Sequence, residues 1–150
     1  MNSLPVPHHR QTQQADCLPA CVAMVLDYLG RPLDYDTLLR ILGTTSYGTV
    51  ARRVLRLTGP ELNVIYSEGG LADLKAYLDR RLPVIVLVKT GELPYWTYNT
   101  LHSVVVVGYD DSHIYVNDPV FDRIGLPVPT GDFDLAWLEL GNRYIVIEPA

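Results

Sequence analysis

Residues 16–30 read DCLPACVAMVLDYLG, a run that begins close to a cysteine and is apolar on almost every side. The run predicts a helix from about Cys17 to Leu29, ended by Gly30. A helix that is apolar all round belongs in a protein interior. Pro19 favours a helix start at Cys17, because a first turn has unpaired N–H groups and tolerates proline. The stretch therefore predicts a central, buried helix with a thiol at its N-terminus.

Helical patterns come first along the chain and strand patterns follow. Further helices are predicted at 34–42, 50–57 and 71–81, and strands at 63–66, 83–88, 104–109, 114–117 and 143–147. This order predicts an α+β fold, in which an N-terminal helical half with the central cysteine helix packs against a C-terminal antiparallel β-sheet. The 150 residues contain no repeat and no linker. We therefore expect a single domain over 1–150, with an extended lead-in at 1–10.

Composition excludes several classes of protein. A hydrophobic content of 48% with 19% charged residues is typical of an ordinary globular domain. The net charge of −5 argues against a nucleic-acid partner. No stretch has the length of a membrane span or of a signal peptide. The two cysteines lie four residues apart, where a disulfide would be strained. We therefore expect free thiols, a reducing compartment and a cytoplasmic location.

Cys17 and His102 have the sequence environment of a nucleophile and its base. Only a thiolate is nucleophilic, and unpaired N–H groups at a helix N-terminus favour its negative charge. His102 precedes the apolar strand pattern SVVVVGY at 103–109, and an imidazole there suits a general base and acid. A cysteine on an apolar helix is also an ordinary core residue, and for Cys17 both interpretations stand at this point. Cys21, one turn deeper, is predicted to be core.

Asp118 and Asn117 compete for the role of orienting the His102 ring. Residues that face each other across a hairpin share a sheet face. If residues 110–112 form a three-residue loop, Asp118 shares a face with His102, whereas an even-numbered loop selects Asn117. Asp118 also lies in phase with the apolar side of its strand, so we favour it. An Asp before a proline is otherwise an ordinary turn residue.

The remaining polar residues support weaker hypotheses. His8 and His9 together with the two cysteines suggest zinc, but cysteines four apart are not usual in a structural zinc site. We therefore expect no metal and no cofactor. His8, His9 and His113 are predicted to be solvated. An oxyanion formed on a carbonyl needs N–H donors besides that of Cys17, and composition does not separate the upstream candidates Gln11, Gln13 and Gln14.

These residues together resemble a known family. The blocks QTQQADC at 11–17, ACVAM at 20–24 and YLG at 28–30 are similar to bacteriocin-processing peptidases. Those enzymes cut leader peptides after a double glycine and are often fused to ABC exporters. The blocks HSVVVVGYD at 102–110 and VNDP at 116–119 extend the resemblance, which covers most of the chain from about residue 5 to the last strand.

The resemblance implies a papain-like fold and a cysteine peptidase. In it Cys17 would be the nucleophile, His102 the base and Asp118 the orienting residue, and Gln11 would donate to the oxyanion. It also implies a peptide-binding cleft between the two halves of the fold. Its walls would be the loop at 46–48 and the segment 94–98 just before the histidine. The substrate contacts would be at Leu18, Ser46, Tyr47, Gly48, Trp96 and Leu101.

Leu18 departs from the resemblance, because the family usually has glycine after the catalytic cysteine. We expect this change to affect the double-glycine specificity rather than the chemistry. We expect a stand-alone peptidase of this broader group, or an isolated domain, acting on a peptide or protein substrate. Its partner would be an exporter or a leader-peptide precursor. A catalytically silent peptide-binding module and an amide or acyl transferase with the same triad remain as alternatives.

Overall fold

The computed structural model describes residues 3–150, and Met1 and Asn2 of the predicted lead-in lie outside the described residues. The α-helices of this part of the chain are α1 (Cys17–Tyr28), α2 (Tyr35–Leu42), α3 (Leu71–Asp79) and α4 (Thr130–Leu138). Two 3₁₀ helices span Ala51–Leu57 and Thr90–Glu92. The strands are β1 (Leu62–Glu68), β2 (Val84–Lys89), β3 (Leu101–Tyr109), β4 (His113–Asn117), β5 (Leu126–Pro129) and β6 (Arg143–Pro149).

The strands form one antiparallel sheet in the order β1-β6-β2-β3-β4-β5. Its middle strands carry continuous Val and Ile runs because they are covered on both faces. In β3, every residue from His102 to Gly108 is buried, although successive side chains point to opposite faces. Helix α1 packs on β3, α4 packs on β2, and α3 packs on both strands. The predicted α+β arrangement of a helical half against an antiparallel sheet is confirmed.

Helix α1 is the buried central helix that its sequence predicts. Eight of its twelve residues are buried, including Val22, Met24 and Leu26. At its C-terminus, Gly30 adopts φ of 72°, and the next N–H, that of Arg31, donates to the carbonyl of Leu26 at 2.9 Å. This is the glycine-ended helix stop expected at a C-terminal cap. The stop fixes the length of α1 and therefore where Cys17 lies relative to β3.

The chain before α1 packs against the sheet. The side chains of Leu4 and Val6 are buried, and the Leu4 N–H donates to the carbonyl of Val107 at 2.8 Å. The β3–β4 register shifts between Val106 and Gly108, which leaves Val107 outside the regular pairing. The bulge thus coincides with the point where the N-terminal segment bonds to β3.

The structure differs from the sequence predictions in three places. The segment at 50–57 is a 3₁₀ helix, Ala51–Leu57, and not an α-helix. The β3–β4 loop has four residues and not three, because Tyr109 pairs with Ile114. Strand β5 and helix α4 were not predicted. Strand β5 reads LPVP and is an edge strand, where prolines remove donors that would have no partner. Helix α4 has an apolar spacing, Phe133, Ala136 and Trp137, that is typical of a buried helix face.

Candidate active site

Cys17 is the first residue of α1 and is partly exposed. The N-cap residue Asp16 makes no capping hydrogen bond with its side chain. Instead its carboxylate is buried and accepts hydrogen bonds from Thr12 Oγ1 at 3.0 Å and Tyr35 Oη at 3.2 Å. The first-turn N–H groups next to Cys17 are therefore free of a side-chain cap, which is the arrangement that favours an anion at this point.

His102 and Asp118 meet although they are 16 residues apart in sequence. The His102 Nε2 lies 2.8 Å from Asp118 Oδ1, with His102 6% exposed and Asp118 fully buried. Because Asp118 accepts from Nε2, the Nδ1 atom of the ring is left for a second partner. Cys17 lines the same cleft as His102, and each of the two groups shifts the pKa of the other, so they are close neighbours. The thiol, the imidazole and the carboxylate therefore lie next to one another in that order.

The Asp118 carboxylate is held by donors from three directions besides His102. Oδ1 also accepts from the backbone N–H of Val120 at 2.9 Å. Oδ2 accepts from Tyr95 Oη at 2.8 Å and from Trp96 Nε1 at 3.0 Å. The Trp96 ring also lies edge-on to His102, with ring centroids 4.9 Å apart. Four donors on a buried carboxylate fix both its charge and its orientation.

The pKa values of Cys17 and His102 are shifted in the directions that favour an ion pair between the two side chains. Burial raises the pKa of Cys17, but hydrogen bonding to His102 and its positive charge outweigh burial, and the pKa is lowered. Burial lowers the pKa of His102, but hydrogen bonds to Asp118 and Cys17 and their charges raise it to about 9. Burial raises the pKa of Asp118, and the bond to His102 with the other donors brings it below its ordinary value. The geometry thus stabilises a thiolate beside an imidazolium.

The choice between Asp118 and Asn117 depends on the bulge. The four-residue loop alone would have brought Asn117 onto the His102 side. The shift at Val107 restores the register, so that Val105 pairs with Asn117 and Asp118 falls on the His102 face. Asn117 instead donates from Nδ2 to the Val6 carbonyl at 3.1 Å and accepts from the Gly125 N–H at 2.9 Å. Its side chain therefore connects the N-terminal segment to the chain just before β5.

A cleft of 560 Å³ opens in front of Cys17 and His102. Five of the six residues predicted to contact substrate border it: Leu18, Ser46, Tyr47, Gly48 and Leu101. The other lining residues are Gln14, Ala15, Thr49, Ala51, Leu87, Thr100, Ser103 and Leu140. None of these is Asp, Glu, Lys or Arg, so the cleft wall carries no formal charge apart from the dyad.

Two walls of the cleft expose apolar side chains to solvent. Tyr47 is 98% exposed at the tip of a tight turn, in which Thr45 and Gly48 pair through two backbone bonds of 3.0 Å. Leu101 is 63% exposed on the opposite, sheet side. The side chain of Leu18 is only 4% exposed and packs in the core, so it takes up little of the cleft.

Trp96 and Gln11 lie elsewhere than the sequence suggested. Trp96 lies behind the dyad on Asp118 and His102 and is not among the residues that line the cleft. Gln11 is also not a lining residue. Its Nε2 donates to the carbonyls of Gln13 at 2.8 Å and Gln14 at 3.1 Å, within its own loop. Both amide hydrogens are therefore used locally, and the N–H groups of the first turn of α1 remain as donors for an oxyanion.

The histidines near the N-terminus do not gather with the cysteines. His8 is half-buried, and its Nε2 lies 2.7 Å from the backbone carbonyl of Asp118, so the prediction that it is solvated was wrong. His9 pairs with Asp27 at 3.0 Å. Across residues 3–150, no three His, Cys, Asp or Glu side chains are placed to hold a metal ion together.

Tyr95 was predicted only as part of the cleft wall at 94–98, none of which lines the cleft, and Ser103 was given no role. Tyr95 bonds to Asp118, and Ser103 borders the cleft directly after His102. Both are adjacent in sequence to residues that were singled out, Trp96 and His102. That adjacency is the only sequence signal for them, since each acts through a partner distant in sequence.

The comparisons with known proteins bear on the family and the fold. A model described as the Peptidase_C39 like family matches residues 3–145. The uncharacterized protein YvpB of Bacillus subtilis (strain 168) is 28% identical over 110 residues, which is 64% of this chain. The chain spans about 40% of the length of that relative.

Within residues 3–150, no helix combines the length and apolar character needed to span a membrane.

Three solved structures share the fold over nearly the whole chain. A putative C39-like peptidase from Bacillus anthracis superposes with a TM-score of 0.77 at 17% identity, over 99% of this chain and 98% of its own. A double glycine motif protease from an AMS/PCAT transporter, solved with the leader peptide, gives 0.75 at 22% identity, over 99% and 95%. The peptidase domain of Streptococcus ComA, a bifunctional ABC transporter, gives 0.75 at 21%, over 95% and 97%. The predicted papain-like fold is thereby confirmed.

Proposed function

The chain belongs to the Peptidase_C39 like family, and on that premise we propose that it is a cysteine peptidase with Cys17 as nucleophile. The observation that carries this proposal is the 2.8 Å bond between His102 and the buried Asp118, with Cys17 and His102 both lining one cleft. A thiol, a base and an orienting carboxylate in this order are the parts that covalent amide cleavage requires.

In the first half of the proposed reaction, the Cys17 thiolate attacks the carbonyl carbon of the substrate amide. The oxyanion that forms accepts hydrogen bonds from N–H groups at the start of α1. The His102 imidazolium then gives its Nδ1 proton to the amide nitrogen, the C–N bond breaks and the amine leaves. The acyl group remains on sulfur as a thioester, and the imidazole is neutral.

In the second half, the neutral His102 takes a proton from water as the water oxygen attacks the thioester carbonyl. The C–S bond breaks, the acid product leaves and the thiolate–imidazolium pair is restored. Asp118 keeps its charge throughout and holds the ring with Nδ1 toward sulfur, because its bond to Nε2 fixes the ring orientation. Because both side chains are buried, water does not compete for this hydrogen bond.

The substrate that we propose is an extended peptide, bound between the Tyr47 wall and the Leu101 wall. The uncharged lining of the cleft favours a neutral segment around the scissile bond. By likeness to the transporter protease solved with the leader peptide, we propose that precursor or leader peptides are substrates and that an exporter is an associated partner. The position of Leu18 in the core is compatible with a narrow peptide path, since its side chain does not fill the cleft.

The experiment that tests the proposal compares wild type with Cys17→Ala on a broad peptide library, with cleavage followed by mass spectrometry. We expect wild type to cleave peptides, and we expect the cleavage rate of Cys17→Ala to be lower by at least about 10⁴-fold. The variant should still bind the intact peptides that wild type cleaves. Ser67→Ala, on the remote edge strand β1, is the matched control and should cleave like wild type.

Three results would contradict the proposal. A wild type that binds peptides from the library and cleaves none would indicate a catalytically silent binding module. Products that carry an added amine in place of a free carboxylate, formed in preference to hydrolysis, would indicate an acyl transferase. An epoxide that labels neither cysteine of the folded protein would remove Cys17 as the nucleophile.

A further inference from the structure

Ser103 lies beside both thiols of the protein. It follows His102 on β3, is 1% exposed, and borders the cleft together with Cys17. Its Oγ lies 3.6 Å from the Sγ of Cys21. Cys17 and Cys21 are four residues apart on α1, so they share a helix face with about 6 Å of rise between them. The Ser103 hydroxyl therefore bonds with Cys21 and borders the same cleft as Cys17, whose pKa it lowers.

Donors and acceptors at this point allow a directed series of hydrogen bonds from Cys21 to Cys17. Cys21 is completely buried, and burial with the nearby charge of Cys17 raises its pKa well above the ordinary value, so it stays a thiol with one S–H to donate. A Cys17 thiolate can only accept. The Ser103 hydroxyl has one hydrogen and two lone pairs, so it can accept from Cys21 and donate to Cys17.

We propose that Cys21 and Ser103 form a relay that orients a hydrogen bond onto the Cys17 sulfur. In it the Cys21 S–H donates to Ser103 Oγ, and the Ser103 O–H donates to the Cys17 thiolate. Ser103 touches the reacting atom, whereas Cys21 is a positioning residue that acts through Ser103. The inference rests on the proposed function only in that Cys17 works as a thiolate.

The charge balance at Cys17 supports this assignment. Burial raises the pKa of Cys17, and the groups that lower it are His102 first, followed by the side chain and the backbone of Ser103. A buried thiolate needs several donors, because water cannot reach all of its surface. His102 supplies one donor from the sheet side, and Ser103 supplies the next. The other ionisable groups around the two sulfurs are Asp118 after β4, Asp16 before α1, Tyr35 on α2 and Tyr95 before β3.

The first test measures how fast iodoacetamide alkylates Cys17 between pH 4 and 10, which needs no peptide substrate. Ser103→Ala should move the acid limb of this profile upward by about one pH unit, because a hydrogen bond to a charged group is lost. The matched control Ser67→Ala removes a strand serine three strands away and should leave the profile unchanged. Circular dichroism at each pH shows that the variants compared are folded.

The second test separates the relay from Ser103 alone. Cys21→Ala should raise the midpoint of the acid limb by a few tenths of a pH unit. Cys21→Ser, which keeps a donor of similar size, should return it to within about 0.2 units of wild type. In the Ser103→Ala background, Cys21→Ala should add no further shift, since the connecting hydroxyl is gone.

Defined results would overturn the inference. An unchanged acid limb in folded Ser103→Ala means that the hydroxyl does not stabilise the thiolate. Equal shifts from Cys21→Ala with and without Ser103 mean that Cys21 acts by packing and not through the relay. A wild type with a low acid limb that cleaves no peptide contradicts the proposed function and leaves the relay intact, so the two failures are distinguishable.

Discussion

The first and second turns of α1 each carry a cysteine, and the two cysteines have opposite chemistry. Cys17, in the first turn, is partly exposed on a cleft and has a lowered pKa. Cys21, in the second turn, is completely buried and has a raised pKa. Burial raises the pKa of both thiols, so the smaller burial of Cys17 does not by itself explain its lowered pKa. The lowering comes mainly from His102, which lines the cleft with Cys17 and has no such effect on Cys21.

The comparison shows that reactivity here is a property of position and not of residue type. One helical turn moves a thiol from the helix end, with its unpaired N–H groups and an imidazolium, into an apolar interior. The same turn keeps both thiols in reach of one serine. In our proposals, two residues with the same side chain therefore have different roles, Cys17 as nucleophile and Cys21 as positioning residue.

The largest effect that we expect is the difference in alkylation rate between the two thiols. At pH 7, iodoacetamide should modify Cys17 roughly a thousandfold faster than Cys21, because Cys21 reacts only when the core opens at a cost of about 4 kcal/mol. Fragment-ion mass spectrometry of the labelled peptide separates the two sites. Unfolding in guanidinium should bring the two rates together. Similar rates in the folded protein would break the comparison.

The second effect is that of the Asp118 charge on Cys17. Asp118→Asn removes the carboxylate that raises the pKa of His102, so less imidazolium should face the sulfur at neutral pH. We expect peptidase activity to fall about 100-fold, and the alkylation of Cys17 to slow while that of Cys21 does not change. Asp122→Asn, an exposed neighbour in the same loop, is the matched control. An unaffected pH profile in Asp118→Asn would remove Asp118 from the site.

The pH profile of peptidase activity follows from the same ion pair. The thiolate must be deprotonated and the imidazolium protonated, so activity should rise as pH passes the lowered pKa of Cys17. Activity should fall as pH passes about 9, where His102 loses its proton. Below the Cys17 pKa and above the His102 pKa, we expect activity to fall about tenfold for each further pH unit. A single rise without an alkaline limb would mean that the His102 proton is not needed.

The smallest effect should come from the donors behind Asp118. Tyr95→Phe removes one of four donors to the carboxylate and keeps the ring contact with Phe121 at 5.0 Å. We expect a loss of about two- to fivefold in kcat with KM unchanged, because the carboxylate that orients His102 is held less firmly. Tyr98→Phe in the same loop is the matched control. A change in KM alone would instead place Tyr95 in substrate binding.

The sequence predicted the parts of the site that depend on local pattern. Cys17 at a helix start followed from Pro19, the apolar run and Gly30, and His102 followed from the strand pattern after it. Asp118 was preferred over Asn117 on strand parity from a three-residue loop. The loop has four residues, which alone would place Asn117 on the His102 face. The bulge at Val107 then shifts the register so that Asp118 lies on that face. That preference matches the geometry only because two deviations cancel.

Other features could not be read from the chain. Helix α4 and strand β5 are short, and the strand consists of alternating prolines and apolar residues, so their patterns are weak. The placement of Trp96 behind the dyad, and not on the cleft, depends on how the loop at 90–100 folds over Asp118. The Gln11 side-chain amide donates both of its hydrogen bonds to carbonyls of its own loop, and composition alone does not predict such local contacts.

Sequence alone thus determined the helical and sheet halves, the buried course of α1 and the thiol at its start. Each of these follows from residues within one or two turns or strands of one another, where periodicity and end signals act directly. Only the tertiary structure decided which carboxylate meets His102 and which hydroxyl bonds with Cys21. Those contacts join residues 16 to more than 80 positions apart, and their geometry depends on a bulge, a loop length and helix–sheet packing acting together.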